Sequence, residues 1–183
     1  PVVAGIGVPA SAPDKEAFRE GMSDAAIVMV TPYGRVEAED FACMSGCAAV
    51  VRYGMGYDNI DVRAGVAAGV PVSIVPGTAS EEDGSHAVAL GMALARRVPA
   101  GQAAIAAGGW AGKVGFDAPR ISDLTVGVVG LGRIGKLVAG WWAALGADVV
   151  GYDPFIELVG IRSAELDEVL TGSDLVSLHL PLT

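Results

Sequence analysis

Gly130-Leu131-Gly132-Arg133-Ile134-Gly135 has the spacing G-x-G-x-x-G, which suits the binding of a pyrophosphate. Gly130 permits a tight turn, Gly132 has no side chain to hold a phosphate off the backbone, and Gly135 lets a helix pack closely on a strand. A helix opening here presents free N–H groups and a partial positive charge to the anion, and Arg133 adds a cation. The context agrees. The run Thr125–Val129 before the glycines reads as a buried strand, and Ile134, Leu137, Val138, Trp141, Trp142 and Leu145 after them fall on one helical face. Asp153 closes the next strand-like run, 18 residues beyond Gly135. An acid about 20 residues on is placed to meet the ribose of an adenosine. A carboxylate there accepts both ribose hydroxyls and repels a 2′-phosphate, so the expected cofactor is NAD rather than NADP.

A second loop, Arg52-Tyr53-Gly54-Met55-Gly56, leaves the end of the apolar run Ala48–Val51. Its glycines expose backbone N–H groups, which can bind a carboxylate. Two histidines complete the inventory. His179 ends a strand-like run, at the sheet edge that lines the ligand crevice in open α/β sheets. His86 falls early in a helix and reads as a packing or surface residue. Cys43 and Cys47 are too few for a disulfide framework and read as small apolar residues, with no further ligands beside them for a metal.

These residues are positioned by short apolar runs alternating with amphipathic stretches. Strands are expected at Ala26–Val30, Ala48–Val51, Pro71–Val75, Thr125–Val129, Asp148–Tyr152 and Leu175–His179. Helices are expected at Val36–Met44, at Val62–Ala68 capped by Asp61, and from a Ser80 cap to Arg97. Two more are expected over Ile134–Leu145 and from a Ser163 cap to Leu170. The helix from Ser80 is apolar nearly all round, which predicts burial between domains or subunits. Ala100–Asp123 reads as an arm with short helical turns. Such β-α-β alternation means parallel sheets with helical crossovers.

The chain has 183 residues, 52% of them apolar, which excludes a disordered chain. A net charge of −9 argues against nucleic acid and anionic membranes as bulk partners. No apolar run reaches the roughly 18 residues of a membrane span. Low cysteine usage fits a cytoplasmic protein. Pro1 is not a translation start, and the chain stops straight after a strand-like run, so a fragment of a longer protein is expected.

Taken together, Arg52–Asp61, Gly69-Val70-Pro71-Val72, Pro76-Gly77, Ala93–Arg97, Gly109-Trp110, Gly130–Gly135, Tyr152-Asp153-Pro154 and Ser173–Thr183 resemble the D-isomer-specific 2-hydroxyacid dehydrogenases. The resemblance runs from about Asp24 onward, and is nearest to bacterial members similar to the C-terminal-binding-protein corepressors. It implies an α/β fold with two Rossmann-like, doubly wound parallel-sheet domains, both incomplete here. Residues 1–98 would be the N-terminal part of a substrate domain plus a connecting helix. Residues 99–183 would be the first half of an NAD-binding domain.

The implied activity moves a hydride between nicotinamide and a D-2-hydroxy acid or 2-keto acid. Arg52, Tyr53, Gly54, Met55 and Gly56 would bind the substrate, with Met55 also near the nicotinamide. Gly130, Leu131, Gly132, Arg133, Ile134, Gly135, Asp153, His179, Leu180 and Pro181 would bind the cofactor. The family's catalytic Arg, Glu and His are expected beyond Thr183, so no catalytic acid–base is assigned to this chain. A homodimer is expected. Gly84-Ser85 depart from the family's usual small residue followed by an acid, Asp83 replaces a usual apolar residue, and Trp141-Trp142 are bulkier than usual. The competing readings are an NAD(H)-sensing, corepressor-like binding protein and an inactive truncated remnant.

Overall fold

The computed structural model describes residues 15–110, 112 and 114–181. Pro1, Leu182 and Thr183, used in the sequence reading, lie outside them. The chain divides into two compact units between Thr78 and Ala79.

In the first unit the order is α1 (Lys15–Ser23), β1 (Ile27–Val30), α2 (Ala38–Phe41), β2 (Ala49–Arg52), α3 (Val62–Ala67) and β3 (Val72–Ile74). The strands form a parallel sheet in the order β1-β2-β3, with Val28 beside Val50 and Val50 beside Val72. Val28, Val30, Phe41, Met44, Val50, Ile60 and Val70 make its core. Asp61 caps α3 as expected, accepting from the Ala64 N–H at 2.9 Å. The helix expected over Val36–Met44 is shorter. Val36 is bridged to Ile60, and Glu37 with Asp40 forms a capping box that starts α2 at Ala38. Buried Asp40 accepts from the Glu37 N–H and from Nε of Arg19 on α1, both at 2.8 Å.

The second unit runs α4 (Ser80–Ala95), α5 (Val98–Ala106), a 3₁₀ turn (Ile121–Asp123), β4 (Thr125–Val129), α6 (Arg133–Ala144), β5 (Asp148–Tyr152), β6 (Arg162–Ser163), α7 (Leu166–Gly172) and β7 (Leu175–Leu178). Its parallel sheet has the order β6-β5-β4-β7. Val126 and Val128 face α6 in a core with Val138 and Trp142, whereas Val129 and Val150 meet Val169 of α7. Helices therefore cover the sheet with two separate cores, as a doubly wound sheet requires.

Four local readings change. Ala79, not Ser80, is the N-cap of α4, in a left-handed conformation at φ 61°, and the buried Ser80 hydroxyl has no partner among the described residues. Part of the expected arm is the regular helix α5, with Pro99 in its first turn and left-handed Arg97 before it. Ser163 lies in β6, and Glu165 caps α7 instead. Helix α4 buries one side on α6, through Gly84 against Trp141 and Gly91 against Trp142, while Leu90 and Leu94 are exposed. The departure at Gly84 and the bulky Trp141 are thus two sides of one contact.

Candidate functional site

The Gly-rich turn sits where β4 ends between its two neighbours. The Gly130 N–H donates to the Tyr152 carbonyl at the end of β5 (2.8 Å), and the His179 N–H beyond β7 donates to the Val129 carbonyl (2.7 Å). Gly130 has φ +89°, and a Cβ there would lie 2.5 Å from the His179 carbonyl oxygen, so both conformation and space require glycine. A Cβ on Gly135 would overlap the Gly130 carbonyl, which places the first turn of α6 directly on this loop. Gly132 differs from both. It is the N-cap of α6, makes no side-chain cap, and has open space where a Cβ would be. The glycines that hold the fold are therefore separate from the one that leaves room for a ligand at the helix N-terminus.

Asp153 ties this loop to β5. Its Oδ2 accepts the Leu131 N–H at 2.8 Å, and Oδ1 accepts those of Phe155 (2.9 Å) and Ile156 (3.1 Å). The N–H groups of Phe155 and Leu131, with a further contribution from Ile156, hold the carboxyl below its ordinary pKa. An ionised carboxylate has about four acceptor positions. Three are occupied, leaving one on Oδ2, so Asp153 can accept one ribose hydroxyl without losing a backbone donor. Leu131 is 1% exposed, its side chain seated over Gly151, so it packs the loop against the sheet. Ile134 is also partly buried against the core, while Arg133 is exposed.

The loop from β7 brings His179, Leu180 and Pro181 to the same sheet edge. Nε2 of His179 lies 2.8 Å from the Ser177 hydroxyl, and burial lowers the pKa of the imidazole. Ser177 escaped the sequence reading. Its signal was the i, i+2 spacing to His179, which puts both side chains on one face of β7.

In the first unit, Arg52 ends the central strand β2. Arg52 is 8% exposed, its guanidinium donates to the Tyr53 carbonyl, and its buried Nε has no partner among the described residues. Gly54 folds over it with φ +142°, where a Cβ would overlap the guanidinium. The Val75 N–H donates to the Gly54 carbonyl (3.1 Å) and the Gly77 N–H to Met55 Sδ (3.4 Å), so the loop is anchored beyond β3. Tyr53 is 67% exposed, and Gly56 is open as well. Among the described residues no three His, Cys, Asp or Glu side chains are grouped to hold a metal ion.

Residues 88–183 match the family model described as "D-isomer specific 2-hydroxyacid dehydrogenase, NAD binding domain". The chain belongs to the D-isomer-specific 2-hydroxyacid dehydrogenase family. Among its relatives, D-3-phosphoglycerate dehydrogenase of Mycobacterium tuberculosis is 39% identical over 93% of this chain and 33% of the relative. Glyoxylate reductase of Korarchaeum cryptofilum is 34% identical over 93% of this chain and 54% of the relative. The TT0316 protein of Thermus thermophilus has a TM-score of 0.85 at 31% identity, covering 98% of this chain and 57% of that one. D-lactate dehydrogenase of Aquifex aeolicus, solved with NAD and lactic acid, has a TM-score of 0.79 at 26% identity, covering 96% and 52%. The chain thus spans about a third to just over half of the proteins it matches.

NAD is the cofactor of this family's nucleotide domain, and the residues present fit it. Gly132 leaves the α6 N-terminus open to a pyrophosphate, and Asp153 stays ionised with one acceptor position free.

Proposed function

We propose that the protein carrying this chain is an NAD-dependent oxidoreductase acting between a D-2-hydroxy acid and its 2-keto acid. The observation that carries the reading is the pairing of an open Gly132 at the start of α6 with the backbone-held Asp153 carboxylate. When bound, NAD supplies the hydride chemistry. Gly130, Gly132 and Gly135, with the first N–H groups of α6, receive its pyrophosphate. Asp153 accepts a ribose hydroxyl and disfavours a 2′-phosphate, which selects NAD over NADP. Arg133, His179, Leu180 and Pro181 line the same edge.

Arg52–Gly56 holds the substrate carboxylate. A buried guanidinium whose Nε lacks a partner is costly unless an anion compensates it, and the loop N–H groups add donors. Met55 is assigned to the nicotinamide side of this loop. No proton-transfer residue is assigned to this chain.

The protein is proposed to work as a homodimer in the cytoplasm. Leu90 and Leu94 of α4 and Val98 and Ile105 of α5 are exposed, as are Trp110 and Phe116. Apolar area of this extent favours burial against a second copy. Cys43 and Cys47 are free thiols, which suits a reducing compartment.

The test follows NADH absorbance in the full-length protein offered a panel of 2-keto acids. The reading predicts oxidation that requires the keto acid and is much weaker with NADPH. Tight NADH binding with no turnover on any 2-keto acid would favour a nucleotide-sensing binding protein instead.

A further inference from the structure

The imidazole of His179 is fixed by a neighbour. Leu175 and Ser177 share a face of β7, and His179, just past the strand end, continues their i, i+2 alternation. Leu175 packs into the core with α4 and α6, and His179 Cβ lies 3.4 Å from the position a Cβ on Gly135 would take. The ring therefore begins beside the first turn of α6, at the edge where the pyrophosphate is received. Its Nε2 is 2.8 Å from Ser177 Oγ, and Ser177 makes no other hydrogen bond among the described residues. If Nε2 were the donor, the half-buried hydroxyl hydrogen would have no acceptor among the described residues. If the hydroxyl donates, Oγ–H and Nε2 are paired and the proton of a neutral ring sits on Nδ1, whose N–H is then the donor left for a ligand. Burial lowers the pKa of the ring and so favours its neutral form, and the partial positive charge of the α6 N-terminus works in the same direction.

We propose that Ser177 is a positioning residue of the NAD site, donating its hydroxyl to Nε2 of His179 so that the ring offers Nδ1–H to the cofactor as an uncharged donor. A phosphate oxygen or a ribose hydroxyl is the matching acceptor. The proposal rests on the assignment of His179 as a cofactor contact.

The test uses the full-length protein with ¹⁵N-labelled histidine, H179A identifying the resonance. Without cofactor, long-range ¹H–¹⁵N spectra should show Nδ1 protonated and Nε2 as acceptor, a mixture of tautomers in S177A, and the wild-type pattern again in S177T. NAD titration should show S177A about three- to tenfold weaker, the scale of one uncharged hydrogen bond. S177T should bind within about twofold of wild type, and S177A should have no further effect in an H179A background. A wild-type ring protonated on Nε2 overturns the proposal even if S177A fails to fold. So does an S177A effect that persists without His179. If NAD binds and G132A weakens it while S177A does not, the proposal alone fails. If NAD does not bind at all, the cofactor reading fails with it.

Discussion

Replacing Gly132 by Ala separates binding from folding. Gly132 has φ −68°, which an L-residue adopts freely, and among the described residues none but its chain neighbours lies within 4 Å of the new methyl. Ala is a poorer N-cap than Gly by about 0.5 kcal/mol. That loss is offset by about 0.4–1 kcal/mol from reduced freedom in the unfolded chain. The net change is within about 1 kcal/mol, or roughly 2–4 °C in Tm for a protein of 150–250 residues. The methyl does, however, enter the space through which a phosphate oxygen reaches the α6 N–H groups. Losing one charge-assisted hydrogen bond costs about 1.5–3 kcal/mol, so Kd for NADH should rise about 10- to 150-fold. Gly135→Ala is the counterpart, because its Cβ overlaps the Gly130 carbonyl, so it should lose folded protein rather than affinity alone. The assay is NADH titration by fluorescence, paired with thermal melts. Wild-type affinity within about threefold in a folded Gly132→Ala protein would refute the placement of the pyrophosphate.

Three further outcomes are expected. Since the folded state holds Asp153 below its ordinary pKa, its carboxylate stabilises the fold above that value, and the contribution is lost as pH falls through the lower folded-state value. The stability gap between wild type and Asp153→Asn should thus be present near neutral pH and close in acid; a gap unchanged from pH 6 to 3 would contradict this. Gly84→Ala places a Cβ 2.9 Å from Trp141 Cζ3, which should cost about 1–3 kcal/mol by overpacking. Adding Trp141→Phe should recover much of that loss, and strictly additive melts would rule out the pairing. Arg52→Met should raise KM for the 2-keto acid about tenfold or more while leaving NADH affinity nearly unchanged. An unaltered KM would remove Arg52 from the substrate site.

The parallel strands and the dinucleotide turn were legible because each has a local pattern. Apolar runs of four or five residues gave β1, β4, β5 and β7 within a residue or two. The glycine spacing marked the turn by the roles that an absent side chain can play. What escaped depended on partners distant in sequence or on competing caps. Val36 is drawn into a bridge with Ile60, which shortens the following helix. Ser80 and Ser163 look like caps, yet Ala79 and Glu165 hold those positions. Gly84 and Trp141 read as separate departures in the sequence, and only the packing of α4 on α6 joins them. At the site, Asp153 was evident from spacing, but the three backbone donors that occupy most of its acceptor positions were not, since two of them lie in the turn after it.

A crystal structure of the full-length protein with NADH bound should show the pyrophosphate over Gly132 at the start of α6 and the adenosine ribose on Oδ2 of Asp153. A cofactor seated elsewhere, with Gly132 and Asp153 untouched, would contradict that placement.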